Sequence, residues 1–152
     1  MKTKILASLI MAAATHAALA YTPSKPDACP TLAAIKSAGI TEAYKMGEGS
    51  DGWLSVIRKN SFGTNVEWEF ILQSGYKNKD TREVIKLANE SLSSLNLMGE
   101  PQLTKEDGKE AWVCGYMPAN PSDADGPLYG IALTPADTME LPTAMRIMRR
   151  MR

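Results

Sequence analysis

Tyr116 and Met117 close a strand-like segment and Tyr129 follows beyond a polar loop. In a chain without histidine ligands, tyrosine, methionine and thiolate are the side chains that can hold a haem iron, and this is the one place where two of these types gather. Tyr44, Tyr76, Met46, Met98 and the methionines near the C-terminus are scattered by comparison. Cys29 and Cys114 offer a different chemistry: an even count in an exported chain predicts one disulfide, and the C-x-x-C spacing of thioredoxin-like exchange is absent. Glu67 and Glu69 alternate along a strand pattern, with Cα atoms ~7 Å apart. Paired carboxylates perform acid–base work when their surroundings split their protonation, but the plainer reading here is the wet face of a half-exposed strand. Asp123, Asp125 and Gly126 resemble a fragment of a calcium loop. With Gly126 as the turn glycine, the first and last ligand positions fall on Pro121 and Ala132, neither of which coordinates through its side chain.

The only histidine, His16, lies in an N-terminal segment with the form of a secretory signal peptide. Lys2 and Lys4 start it, an apolar stretch from Ile5 to Leu19 follows, and Ala18-Leu19-Ala20 supplies a cleavage site before Tyr21. Cleavage leaves a mature chain without imidazole, which removes histidine-based triads and most catalytic zinc sites. A serine–lysine dyad is then the main arrangement left for a hydroxyl nucleophile. No later stretch approaches the ~20 apolar residues of a membrane span. The expected compartment is the periplasm or the exterior.

Formal charge is zero over the 152 residues, but unevenly spread. Loss of Lys2 and Lys4 reduces 17 basic residues to 15 against 17 acidic, a net of −2. Arg146, Arg149, Arg150 and Arg152 crowd the end, so residues 21–140 hold 11 basic against 17 acidic, a net of −6. An acidic body argues against nucleic acid as a partner.

These side chains must be positioned by elements readable from the pattern. Pro23 and Pro26 keep residues 21–27 extended. Pro30, with Leu32, Ile35 and Ala38 at helical spacing and Gly39 beyond, predicts a first helix. Gly47, Gly49 and Gly52 form a loop. Trp53, Ser55 and Ile57 then share one strand face with Leu54 and Val56 on the other. In the next strand Val66, Trp68, Phe70 and Leu72 point in while Asn65, Glu67 and Glu69 point out. Asp80 and Glu83 form a capping box for a second helix whose stripe is Val84, Leu87, Ala88, Leu92 and Leu95. Asp107-Gly108 is a hairpin turn whose second arm carries Trp112, Cys114 and Tyr116 on one face. A last strand runs from Leu128 to Leu133. The expectation is an α+β domain over 28–136: an antiparallel sheet of about five strands with two helices on one face, in the order helix, strands, helix, strands.

Residues 137–152 form a basic tail rich in Met and Arg. Leu141, Met145, Met148 and Met151 fall at helical spacing, and as a helix it would be amphipathic and able to touch an anionic membrane or an acidic partner through Arg146, Arg149, Arg150 and Arg152. About 12 residues is short for an isolated helix in water, so a frayed end is expected.

The stretch Asp27-Ala28-Cys29-Pro30, then Ala33-Ala34-Ile35 and Gly39-Ile40, is similar to the start of a family of small secreted bacterial proteins that includes a protein named hemin-binding protein. Trp53, the strand Asn65 to Phe70, the helix near 80–96, Trp112-Val113-Cys114 and Thr134-Pro135 match that family in order. The resemblance covers roughly 27–136 and leaves out the tail. It implies an exported, non-catalytic binding protein that needs no metal or cofactor, with hemin or another small hydrophobic molecule as its ligand. Tyr116, Met117 and Tyr129 are the candidate contacts from the residues themselves; the alternative is an envelope or host-interaction module acting through an exposed sheet face or the basic tail, with an enzyme a distant third.

Overall fold

The computed structural model describes residues 22–47, 52–120 and 125–151. The signal peptide with His16, its cleavage point before Tyr21, Gly49, Asp123 and Arg152 lie outside the described residues.

Helix α1, Leu32–Ala38, begins where the Thr31 hydroxyl accepts the Ala34 N–H and ends at Gly39, whose φ of 74° suits a residue without Cβ. β1 (Glu42–Lys45), β2 (Trp53–Asn60) and β3 (Trp68–Ser74) follow, then α2 (Thr81–Ser91). The Asp80–Glu83 capping box is fully formed. α2 stops short of the sequence expectation: the hydroxyls of Ser91, Ser93 and Ser94 each donate to the carbonyl three residues back, competing with the helical ladder. Leu92 therefore sits in a 3-10 turn, and Leu95 opens a short strand, β4 (Leu95–Leu97). β5 (Gln102–Glu106) and β6 (Lys109–Pro118) form the expected hairpin, with Asp107 and Gly108 at φ 52° and 76°. β7 (Pro127–Thr134) and α3 (Leu141–Met151) complete the described chain.

The result is an α+β architecture with a seven-stranded antiparallel sheet, ordered β1-β2-β3-β7-β6. The outer edge of β6 carries two short strands in tandem: β5 pairs its first half (Gln102 opposite Val113) and β4 its second (Leu97 opposite Tyr116). The sheet thus has two more strands than the pattern suggested, because β1 and β4 are too short to show alternation.

Both faces of the sheet are buried. On one, Trp53, Ile57, Trp68, Phe70, Leu72 and Tyr116 pack with Ile35 of α1 and Val84, Ala88 and Leu92 of the α2 segment. On the other, Leu54, Val56, Ile71, Val113, Ile131 and Leu133 pack with Ala144, Ile147 and Met148 of α3. Fully burying side chains of this size is worth ~1.5–3 kcal/mol each. This corrects the expected two-layer arrangement and the 137–152 boundary. The tail is a third helix on the second face, because that face is too apolar to stay wet. Cys29 and Cys114 form a disulfide with S–S 2.05 Å and Cα atoms 5.8 Å apart. It ties the approach to α1 to the centre of β6.

Candidate functional site

Glu67 and Glu69 were expected to share a wet face, and the structure separates them. Glu67 is exposed, with its carbonyl accepting the Thr134 hydroxyl at 2.7 Å. It borders a groove of about 370 Å³ with Lys59, Pro23 and Pro135. Glu69 is 1% exposed, on the face that α3 covers. Its Oε1 accepts from Arg58 Nη1 at 2.5 Å, while Arg58 Nε donates to Glu42 at 3.3 Å and its guanidinium stacks 5.7 Å from the Tyr44 ring. The Tyr44 hydroxyl donates to Glu42 at 2.5 Å. That hydrogen bond, together with Arg58, holds Glu42 below the usual carboxylate range. Burial pushes Glu69 up, outweighing the pull of Arg58.

The pKa values of Glu42 and Glu69 are therefore pushed in opposite directions. Arg58 stands between them, however, and Glu69 lines none of the four clefts described here. The cluster joins β1, β2 and β3.

Its pH signature has a defined sign. Glu69 has a native pKa above its unfolded value, so its stabilising contribution is complete below that value and is lost as pH rises through the native pKa. Glu42 runs oppositely: its contribution is present above the unfolded pKa and is lost as pH falls through the depressed native one. Glu69→Gln removes only the first. The stability of this variant relative to wild type is expected to rise as pH climbs above the ordinary carboxylate range in urea melts. A difference independent of pH would contradict the burial argument.

Tyr116, Met117 and Tyr129 do not form one site. Tyr116 is fully buried on the α1/α2 face, where its hydroxyl donates to the Pro30 carbonyl at 2.7 Å and its ring meets Phe70 edge-on at 5.5 Å. Burial raises its phenol well above the ordinary value, so no phenolate is on offer there. Met117 and Tyr129 belong to the opposite face, under α3. Successive strand residues point to opposite sides, so Tyr116 and Met117 were bound to part company.

The expected interaction tail is also engaged. Arg146 Nε and Arg150 Nη2 reach Glu106 at 3.1 and 2.5 Å, and Arg146 also pairs with Asp107. Thr143 donates to Asp107 at 3.1 Å. An i, i+4 pair of arginines thus flanks a nearly buried glutamate at the β5–β6 turn, leaving Arg149 exposed.

Two further spacings are present in the sequence but in the wrong context. Ser74 and Lys77 have the serine–lysine dyad spacing, yet Ser74 is buried at the end of β3 while Lys77 is exposed. Gly47, Gly49 and Gly52 have the G-x-G-x-x-G spacing, but the element that follows Gly52 is strand β2. A phosphate cradle of that type needs a helix N-terminus at its end.

The β4–β5 edge combines exposed apolar side chains with three smaller clefts. Leu97, Met98 and Leu103 are 42%, 49% and 45% exposed, three of the four large apolar side chains so exposed among the described residues. Each borders a different cleft along this edge. Leu97 lines one of about 280 Å³ beside Cys29 and Pro101; Met98 one of about 200 Å³ with Gly115, Tyr129 and Met151; Leu103 one of about 100 Å³ with Ile147 and Met151. The last two share Gln102, Val113, Arg150 and Met151, and form one trough under the end of α3.

Gly115 makes this trough possible. A Cβ there would lie 2.5 Å from the Tyr129 hydroxyl and 3.2 Å from the terminal methyl of Met151. The methionine end of α3 can therefore settle on bare backbone. Sequence pattern could not reveal this site, because it depends on α3 docking against β6. Apolar positions on both sides of β2, β3 and β7 were the available signal that the second face needed a cover.

No protein-family model, curated protein or solved structure matches the chain. Fold and site together define a disulfide-bonded α+β domain with an apolar edge trough. Among the described residues no helix is long and apolar enough to cross a membrane, and no group of three or more His, Cys, Asp or Glu is placed to hold a metal.

Proposed function

We propose that this is an exported, non-catalytic protein, periplasmic or secreted, that binds a small hydrophobic molecule of the hemin type at the β4–β5 edge. The observation that carries the reading is exposed Met98 at the mouth of the trough under Met151; Leu97 and Leu103 are exposed on the same edge but pair with Tyr116 and Trp112 of the other face. The disulfide supports export, since such bonds persist in oxidising compartments. The resemblance to secreted proteins that include a hemin-binding one points to the ligand class.

The clefts are individually smaller than the ~300–1,000 Å³ of enclosing ligand sites, so the ligand lies against the edge rather than inside the fold. Thioethers of Met98 and Met151, together with Met117 or Tyr129 behind them, replace the ligand set first suggested by Tyr116. An envelope or host partner engaged through the basic tail draws less from the geometry, because Glu106 already holds Arg146 and Arg150.

Hemin titration of the mature protein tests this. A Soret shift is expected that is retained in Tyr116→Phe and abolished in the Met98→Ala/Met151→Ala double variant. Absence of a shift in wild type, or a shift unchanged by the double variant, would remove the reading.

A further inference from the structure

We infer that Cys29 is a thiol-exchange site, at which a small cationic aminothiol opens the disulfide and is held as a mixed disulfide. The two sulfurs are unequally placed. Cys114 lies within β6, is 1% exposed and lines none of the four clefts described above. Cys29 is carried by the leader and forms part of a cleft of about 280 Å³. Its Sγ lies 3.6 Å from the carbonyl oxygen of Gly99, which borders the same cleft. At 6% exposure Cys29 is the floor of this opening, with exposed Lys25, Asp27, Leu97 and Glu100 around it. Which sulfur a thiolate attacks depends on access, and the cleft gives access at Cys29.

The rim selects the thiol. Asp27 and Glu100 are acids, and Lys25, whose ammonium lies 5.9 Å from the Trp112 ring centre, is the only cation among the described lining residues. One positive charge against two negative leaves the rim at −1. It attracts an ammonium on the incoming thiol and repels a carboxylate; a unit charge pair ~4 Å apart in water changes a rate about fivefold. Leu97 offers apolar surface to the short carbon chain between amine and sulfur. In the exchange the thiolate of the aminothiol bonds to Cys29 Sγ, the Sγ–Sγ bond breaks, and Cys114 leaves as a thiolate that takes up the proton the aminothiol lost. One disulfide breaks and one forms, so no outside oxidant or reductant is consumed. Attack of Cys114 on the mixed disulfide reverses the step. The opened form unties the leader from β6, which makes the bridge a releasable staple.

Cys29 belongs to the α1/α2-side core, so the outcome of the hemin titration has no bearing on this step. Folded mature protein is incubated without denaturant with cysteamine or with 3-mercaptopropionate, quenched in acid, digested at low pH and read by mass spectrometry. The adduct is expected on the Cys29 peptide, with Cys114 left as the free thiol, and its initial rate of formation is expected to grow in proportion to thiol concentration. Each rate is divided by that of the same thiol on bis(2-hydroxyethyl) disulfide, which cancels intrinsic nucleophilicity. On this scale cysteamine is expected to react about fivefold faster at low ionic strength, with the advantage lost in high salt. Asp27→Asn/Glu100→Gln, at two exposed positions, is expected to remove most of that preference with an unchanged thermal midpoint. Should this variant not fold, Glu100→Gln alone is expected to reduce the preference. No adduct, an adduct on Cys114, or a rate independent of thiol concentration and so set by global unfolding would overturn the inference. Equal normalised rates for the two thiols, or a preference unchanged in the variant that folds, would overturn it as well.

Discussion

Ending the chain at Asp137 is expected to abolish cooperative folding. The lost segment contributes Ala144, Ile147 and Met148 to a buried face and leaves Val113, Ile131 and Leu133 beneath it open to water. At ~1.5–3 kcal/mol per large side chain, the exposed set matches the whole ~5–15 kcal/mol by which a domain of this size is normally stable. The same cut leaves Glu106, nearly buried, without Arg146 and Arg150. The truncated protein should bind a hydrophobic dye, lose near-ultraviolet circular dichroism and show no sharp melt. A milder form of the experiment is Met148→Ala, a fully buried position, expected to cost about 2–5 kcal/mol in a urea melt. A truncated chain melting sharply near the full-length midpoint would mean that α3 is an appendage.

The second large effect concerns the disulfide. Cys29 and Cys114 are 85 positions apart, and in the chain-entropy picture a crosslink of that span stabilises by about 4–5 kcal/mol. The Cys29→Ala/Cys114→Ala protein is therefore expected to melt roughly 15 °C lower. Part of that loss has a location. Pro30 accepts the Tyr116 hydroxyl and Pro23 accepts Trp112 Nε1 at 3.0 Å, so an unpinned leader also loosens two aromatic hydrogen bonds, the first of them buried. Thiol labelling of unfolded, unreduced wild type should detect neither cysteine. Labelling, or a midpoint within a few degrees of wild type in the double variant, would contradict the stapling role.

Much of the frame is written in short-range chemistry. Asp107-Gly108, the Asp80–Glu83 capping box and the stop at Gly39 need only local backbone geometry, and each forms as its residues dictate. The split of Trp53 and Ile57 from Leu54 and Val56 follows from the strand period, and the two sets do reach different cores. What failed depended on partners distant in the chain. Glu69 looks wet by alternation with Trp68 and Phe70, but its side of the sheet lies in the α3-side layer and Arg58 reaches in from β2. The arginines of α3 look like a free basic face until the β5–β6 turn presents Glu106 and Asp107 to them.

The binding site was partly legible. Met117 and Tyr129 do lie near the trough, and Tyr129 lines it. Tyr116 could have been set aside by period alone, since it adjoins Met117 in one strand. Met98 and Met151 carried no local signal. Their pairing comes from the tandem seating of β4 and β5 on β6 and from the landing of α3 on Gly115.

The central claim is that ligand meets protein at the methionine-lined trough beside the β4–β5 edge. Its most direct test is an NMR titration of mature protein carrying isotope-labelled methionine methyls, with hemin as the added ligand. The methyl signals of Met98, Met117 and Met151 are predicted to broaden or shift first, with Met46 and Met139 unaffected. Perturbation led by Met46 or Met139, or none at all, would contradict it.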